Sequence, residues 1–440
     1  MKIPKRIART LITSLKGGVV PRIGLPYITV GRKSEIEALL HDVDAIADGG
    51  ASFRFIVGRY GSGKSFLMQT IRNYVMEKNF VVVDADLSPE RRLQGTNGQG
   101  LATYRELVRN MATKTKPEGG ALNLILDRWL SRVQAEVMEE SGLPAADPGI
   151  RPLMERKIAQ VIGALDEMVH GFDFAKILTL YYQAYAEGNQ EKKAKVTKWF
   201  RGEYHTKTEA KQEMGVNVII NDDDWYEYLK LFACFLKQAG YAGLLVCIDE
   251  LVNIYKVPHA ITRQYNYEKI LTMYNDTLQG KAHYLGIIMG GTPQCMEDPR
   301  RGVYSYEALR SRLAEGHFGG THKDLMAPVI PLLPLTNEEM LILIEKLAEI
   351  HSSLYEYQSH IKPKDLAKII ADWGGFPYYA PGSDSGLYRG AGYSVPASGT
   401  DGNGTAGVRP IPVRQERRAG RGRSGGVCGI YRVRREYEYI

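Results

Sequence analysis

Cysteine is scarce in this chain of 440 residues: Cys234, Cys247, Cys295 and Cys428 stand apart, with no CxxC pair and no paired histidine spacing. That pattern fits reduced thiols in a cytoplasmic protein better than a disulfide framework or a zinc site. Long apolar runs are missing too. Nothing approaches 18 uninterrupted apolar residues, so no membrane span is expected. The opening MKIPKRIARTLITSL has neither the apolar stretch nor the small-residue cleavage site of a signal peptide. A charge excess is absent from most of the chain. The net charge is +7, but residues 378–440 hold ten arginines, no lysine and five acidic residues, which leaves 47 basic and 45 acidic residues elsewhere. The body is nearly neutral, so composition alone does not argue for a nucleic-acid-binding face. What is present is an apolar fraction of 44%, enough for a sizeable core in a chain longer than one compact domain needs.

Periodicity divides the chain. Residues 25–50 read as an extended lead-in, PYITVGR, followed by an amphipathic helix capped by Ser34, with Ile36, Leu39, Leu40 and Val43 on one stripe. An apolar run at 53–57 ends at a glycine and reads as a buried strand; a helix over 65–78 and a strand over 80–84 follow. Strand, glycine-rich loop, helix, strand is the opening of a parallel α/β sheet. From 89 to about 240 the pattern is helical, with Trp225, Tyr228, Leu229, Phe232, Phe235 and Leu236 forming one stripe. Strand signals return at 244–248, 285–289 and 327–335, and an amphipathic helix spans 337–351. The expected organisation is therefore an α/β core in two parts, 1–88 and 241–335. A helical insertion over 89–240 separates them, and 336–377 begin a helical lid.

Residues 378–440 break with this pattern. Thirteen glycines, arginine without lysine and no period of 2 or 3.6 describe a disordered tail. They also describe translation out of frame. Taking the last two bases of each codon with the first base of the next, residues 378–397 can encode TTPREVIRDFIEVLDILYQ, whose apolar spacing would continue the lid helically.

The chemistry sits in a few motifs. Gly58-Arg59-Tyr60-Gly61-Ser62-Gly63-Lys64-Ser65, followed by Phe66, matches GxxxxGK[ST] between a strand and a helix. Backbone N–H groups of such a loop wrap a phosphate chain at the positive end of the helix. Lys64 is expected to reach the β- and γ-phosphates, and Ser65 to ligate Mg²⁺. The run Leu244-Leu245-Val246-Cys247-Ile248 delivers Asp249 and Glu250 to the end of a strand expected at the sheet centre. Asp249 is the second candidate Mg²⁺ ligand, and Glu250 the base that deprotonates the attacking water. Thr292, at the tip of the strand over 285–289, is a candidate sensor of the γ-phosphate. Arg312, in EALRSRL, is a candidate finger reaching a neighbouring subunit's nucleotide. For the last two, a strand-end turn and a solvated helix end are the plain alternatives.

Val30-Gly31-Arg32, with Glu35 and Glu37, resembles the hhGRxxE box of AAA+ and related STAND ATPases, and the order of the later motifs resembles the same group. WFRGEYHTKTEA, INDDDWYEYLKLFA, LLVCIDELVNIYK and GGTPQCMEDPRRGVYSYEALRSRL are similar to the P-loop ATP-binding proteins of BREX-type phage-defence and TerB-associated loci, over about residues 5 to 377. The resemblance implies an AAA+-like P-loop fold that binds ATP and Mg²⁺, with Val30, Gly31 and Arg32 flanking the adenine. It also implies defence-system partners, DNA as a candidate partner, and a homo-oligomer if the arginine acts in trans. The expected function is an ATPase serving as a nucleotide switch in anti-phage defence. The alternative is a nucleotide-gated scaffold or DNA-binding module with little or no hydrolysis. No counterpart of the family's later lid helices follows Pro377.

Overall fold

The computed structural model describes residues 3–163, 165, 167–314, 324–358 and 365. The readings of residues 378–440 lie outside them. Helix α1 (Lys5–Lys16) occupies the opening segment, for which no helix is expected from the sequence. Its Ala8, Leu11, Ile12 and Leu15 are buried at helical spacing. The expected extended lead-in is in part a single helical turn, α2 (Leu25–Ile28), with Pro26 in its first turn. Proline's fixed φ suits that position, where its missing N–H costs nothing. Helix α3 (Lys33–Ala47) begins one residue before Ser34, and Arg32 occupies the cap position without a side-chain cap. The expected Ser34 cap is therefore wrong: Ser34 already lies in the first turn.

Strand β1 (Ala51–Val57), helix α4 (Lys64–Glu77) and strand β2 (Val81–Asp86) follow as expected, each extended or shifted by a residue or two. Seven helices then precede the next strand: α5 (Gln99–Arg109), α6 (Leu122–Ser141), α7 (Ile150–Gly163), α8 (Gly171–Ala186), α9 (Gln190–Phe200), α10 (Lys207–Met214) and α11 (Trp225–Gln238). Strand β3 (Leu244–Asp249) leads to α12 (Val252–Tyr255), α13 (Ala260–Leu278) and strand β4 (Leu285–Gly291). Short helices α14 (Pro293–Glu297) and α15 (Glu307–Leu313) precede strand β5 (Val329–Pro331) and helix α16 (Asn337–Tyr355). The strand expected over 327–335 is only three residues long, because Pro331 and Pro334 withhold ladder donors.

The five strands form one all-parallel sheet in the order β2-β3-β4-β1-β5. The strand at the centre is therefore β4, and β3 lies second from the edge, which corrects the expectation that the Asp249 strand is central. Alternate side chains divide the sheet between two cores. Phe53, Phe55, Val81, Val83, Val246, Ile248, Ile287 and Met289 pack with the aromatic-rich helices between β2 and β3 and with α13. Ile56, Val82, Leu245, Cys247 and Ile288 pack beneath α3 and α4. A sheet covered on both faces needs near-continuous apolar strands, and such a run makes β3 readable, while β1 is interrupted by Arg54. A third cluster joins α1, α2 and α16.

Buried polar contacts tie these helices to one another and to the loop after β2. The Lys230 ammonium on α11 donates to Asp276 on α13 at 2.8 Å, with Glu227 at 2.9 Å. Trp225 donates its indole N–H to the Leu93 carbonyl at 3.0 Å. The Asp222 carboxylate accepts the Gly98 and Leu101 N–H groups at the start of α5, where a carboxylate also complements the helix dipole.

Candidate nucleotide site

Parallel strands deliver their C-terminal ends to one edge of the sheet, and the candidate residues gather there. A cavity of about 540 Å³ is lined by Tyr60, Gly61, Gly63, Lys64, Ser65, Phe66, Asp249, Glu250 and Thr292, together with residues 15–20. Gly58, Arg59, Ser62, Val30, Gly31, Arg32 and Arg312 are not part of that lining.

The glycine-rich loop turns into α4 through Gly63, whose φ of +88° is open to glycine and strained for other residues. The unpaired N–H groups of the first turn of α4 then stand at the positive end of a 14-residue helix. Lys64 folds over the loop, its Nζ donating to the Gly58 and Arg59 carbonyls at 3.0 and 3.1 Å, with the Tyr60 ring centroid at 5.5 Å. Desolvation lowers the Lys64 pKa, and the Asp249 and Glu250 carboxylates oppose that shift. Tyr60 is raised by desolvation and then by Glu250 and Asp249.

Across the cavity, the Ser65 hydroxyl donates to Asp249 Oδ2 at 2.7 Å. Two hard oxygen donors so close to each other and to the phosphate loop suit Mg²⁺, which takes one or two protein oxygens and fills its octahedron with phosphate and water. Among the described residues no cluster of three or more His, Cys, Asp or Glu could hold a metal ion.

The other oxygen of Asp249 accepts the Glu250 N–H at 2.8 Å. Glu250 has φ +62°, an uncommon conformation for a non-glycine residue. Desolvation raises its pKa first, followed by the Asp249 and Asp86 charges, against Lys64 and Lys256. Asp86, which ends β2 directly opposite Asp249, went unnoticed in the sequence. Its pKa is itself raised by desolvation and by Asp249. The only signal would have been the register between two strands, which no single run of residues carries.

Thr292 caps α14: its hydroxyl accepts the Cys295 N–H at 3.3 Å, and Cys295 Sγ accepts the Thr292 N–H at 3.1 Å. Accepting that bond leaves the hydroxyl proton available to donate into the cavity.

The Val30-Gly31-Arg32 box lies behind the loop. Arg32 is 5% exposed, and its guanidinium donates to the Ser62 carbonyl at 2.9 Å and the Leu333 carbonyl at 2.6 Å, with Glu35 at 3.6 Å. Gly31, at φ +68°, sits against the Glu339 carboxylate at the start of α16, where any side chain would collide. Arg312 is exposed and donates to the Ala308 carbonyl of its own helix at 2.7 Å.

No helix among the described residues is long and apolar enough to cross a membrane. A search of curated proteins gives no match. Residues 3–376 match the family described as BREX system ATP-binding protein BrxC/D. On this match over most of its length, the chain belongs to the BREX system ATP-binding protein BrxC/D family.

Proposed function

We propose that the chain is a Mg²⁺-dependent ATPase of the AAA+-like P-loop type, whose nucleotide state acts as a switch in anti-phage defence. The observation that carries this reading is the pair Ser65 Oγ and Asp249 Oδ2, 2.7 Å apart, with Glu250 next in sequence and Lys64 on the same cavity wall. In this reading the N-terminus of α4 and Lys64 hold the β- and γ-phosphates, and Ser65 and Asp249 hold Mg²⁺, which neutralises phosphate charge when bound. Glu250 takes a proton from water as the water oxygen bonds to the γ-phosphorus and the bond to the β–γ bridging oxygen breaks, releasing ADP and phosphate. Its raised pKa brings a carboxylate closer to the range useful for a base near neutral pH. Thr292 donates to the γ-phosphate. The helices between β2 and β3 form an insertion that carries the response, and α16 begins a lid. Other proteins of the same defence system are the partners, and a second copy would supply Arg312.

Steady-state ATP turnover by the full chain, with and without duplex DNA, tests the reading. The expected result is Mg²⁺-dependent phosphate release that Glu250→Gln abolishes. ATP binding without release under either condition would favour a nucleotide-gated scaffold instead.

A further inference from the structure

The cavity lining has two parts of different character. One is the phosphate loop. The other is formed by residues 15–20, where α1 stops. There the N–H groups of Gly17, Gly18 and Val19 bond back to the carbonyls of Thr13, Leu15 and Ser14 at 3.1, 3.0 and 3.0 Å. Those bonds satisfy three of the carbonyls that a helix end leaves open. The carbonyls of Gly17 and Gly18 accept no hydrogen bond from the described residues. They stand at the negative end of a 12-residue helix that contains no acidic side chain. Val19, 60% exposed, and Val20 add apolar surface to the same wall.

We propose that this turn is the base-recognition element and that it selects adenine over guanine. Val19 and Val20 cover a purine face, while the Gly17 and Gly18 carbonyls accept hydrogen bonds from the 6-amino group. Guanine presents a 6-oxo oxygen at that position, so two acceptors would face each other at the negative end of a dipole. The assignment rests on the phosphate-loop reading of the other part, since that part fixes where the base falls. It moves base recognition from Val30, Gly31 and Arg32, which do not line the cavity, to a segment before them.

Calorimetric titration of the full chain with ATP, GTP, ITP and inorganic tripolyphosphate separates the two parts. ATP is expected to bind at least about tenfold tighter than GTP or ITP, the order of one hydrogen bond replaced by a repulsive contact. ITP shares the 6-oxo group without the guanine 2-amino group, so it isolates the contact. Val19→Asn, a neutral polar change at an exposed position, is expected to weaken ATP by about tenfold or more and leave tripolyphosphate binding unchanged. Amide exchange at residues 17–20 should slow with ATP and not with tripolyphosphate, a readout independent of the variant. Equal affinity for ATP and ITP, or unchanged ATP affinity in Val19→Asn, overturns the base assignment while leaving the phosphate loop standing. Failure of both ATP and tripolyphosphate to bind the unaltered chain overturns the phosphate-loop reading itself.

Discussion

Replacing Arg32 by alanine separates a brace from a base contact. The guanidinium is nearly buried and bonds two backbone carbonyls from distant segments, Ser62 in the phosphate loop and Leu333 after β5. A hydrogen bond involving a charged group contributes about 1.5–3 kcal/mol, and truncating one member of a buried charged network costs about 3–5 kcal/mol. Since the two bonds share one side chain, their sum is not additive, and we expect a loss of about 3–5 kcal/mol. At about 2 °C per kcal/mol for a large domain, Tm of the nucleotide-free chain should fall by roughly 6–10 °C. Arg32→Lys should recover only part of this, because one ammonium cannot reproduce a planar fork spanning two carbonyls. Losing the anchor at Ser62 should weaken ATP and inorganic tripolyphosphate alike. Differential scanning calorimetry of the free chain and titration with both ligands provide the assay. An unchanged Tm, with ATP weakened and tripolyphosphate unaffected, would refute the brace and restore Arg32 to the adenine.

Three further expectations follow from the same geometry. Because Glu250 must be ionised to take a proton, turnover should fall as pH drops through its pKa, and desolvation and Asp249 place that fall above the ordinary glutamate range; an acid limb at or below that range in a kcat–pH profile would contradict this. Arg312→Ala should bind ATP normally and lose turnover, and mixing it with Glu250→Gln should restore part of the activity; no recovery in a verified mixed oligomer would exclude action in trans. A chain carrying TTPREVIRDFIEVLDILYQ in place of residues 378–397 should unfold at higher temperature and hydrolyse ATP faster, given that the family match ends at residue 376; equal melting and turnover would leave the present tail as the native one.

The parts of the fold legible in sequence were those with a local cause. Strands β3 and β4 are buried on both faces and so read as apolar runs, β1 does so apart from Arg54, which is buried against Asp42, and α11 carries its core stripe at helical spacing. Lys64, Ser65 and Asp249 were readable because loop and strand end each impose a short pattern. What escaped depended on contacts between distant segments. The order of the sheet decides which strand is central and places Asp86 opposite Asp249. Helix α1 is short of apolar residues in any continuous run, and its Leu11, Ile12 and Leu15 gain their meaning only by packing against Ile344 and Leu347 of α16. The second contact of Arg32 has no local signal either, because it is the path of the chain after β5 that brings Leu333 to its guanidinium.

The central claim is that Lys64 holds the phosphates while Glu250 breaks the bond, so the most direct measurement compares Lys64→Ala with Glu250→Gln for ATP affinity and for phosphate release in a single turnover. The account predicts that Lys64→Ala loses affinity, whereas Glu250→Gln keeps it and releases phosphate at least about a hundredfold more slowly, the scale of a lost general base. Release from Glu250→Gln at the unaltered rate would contradict it.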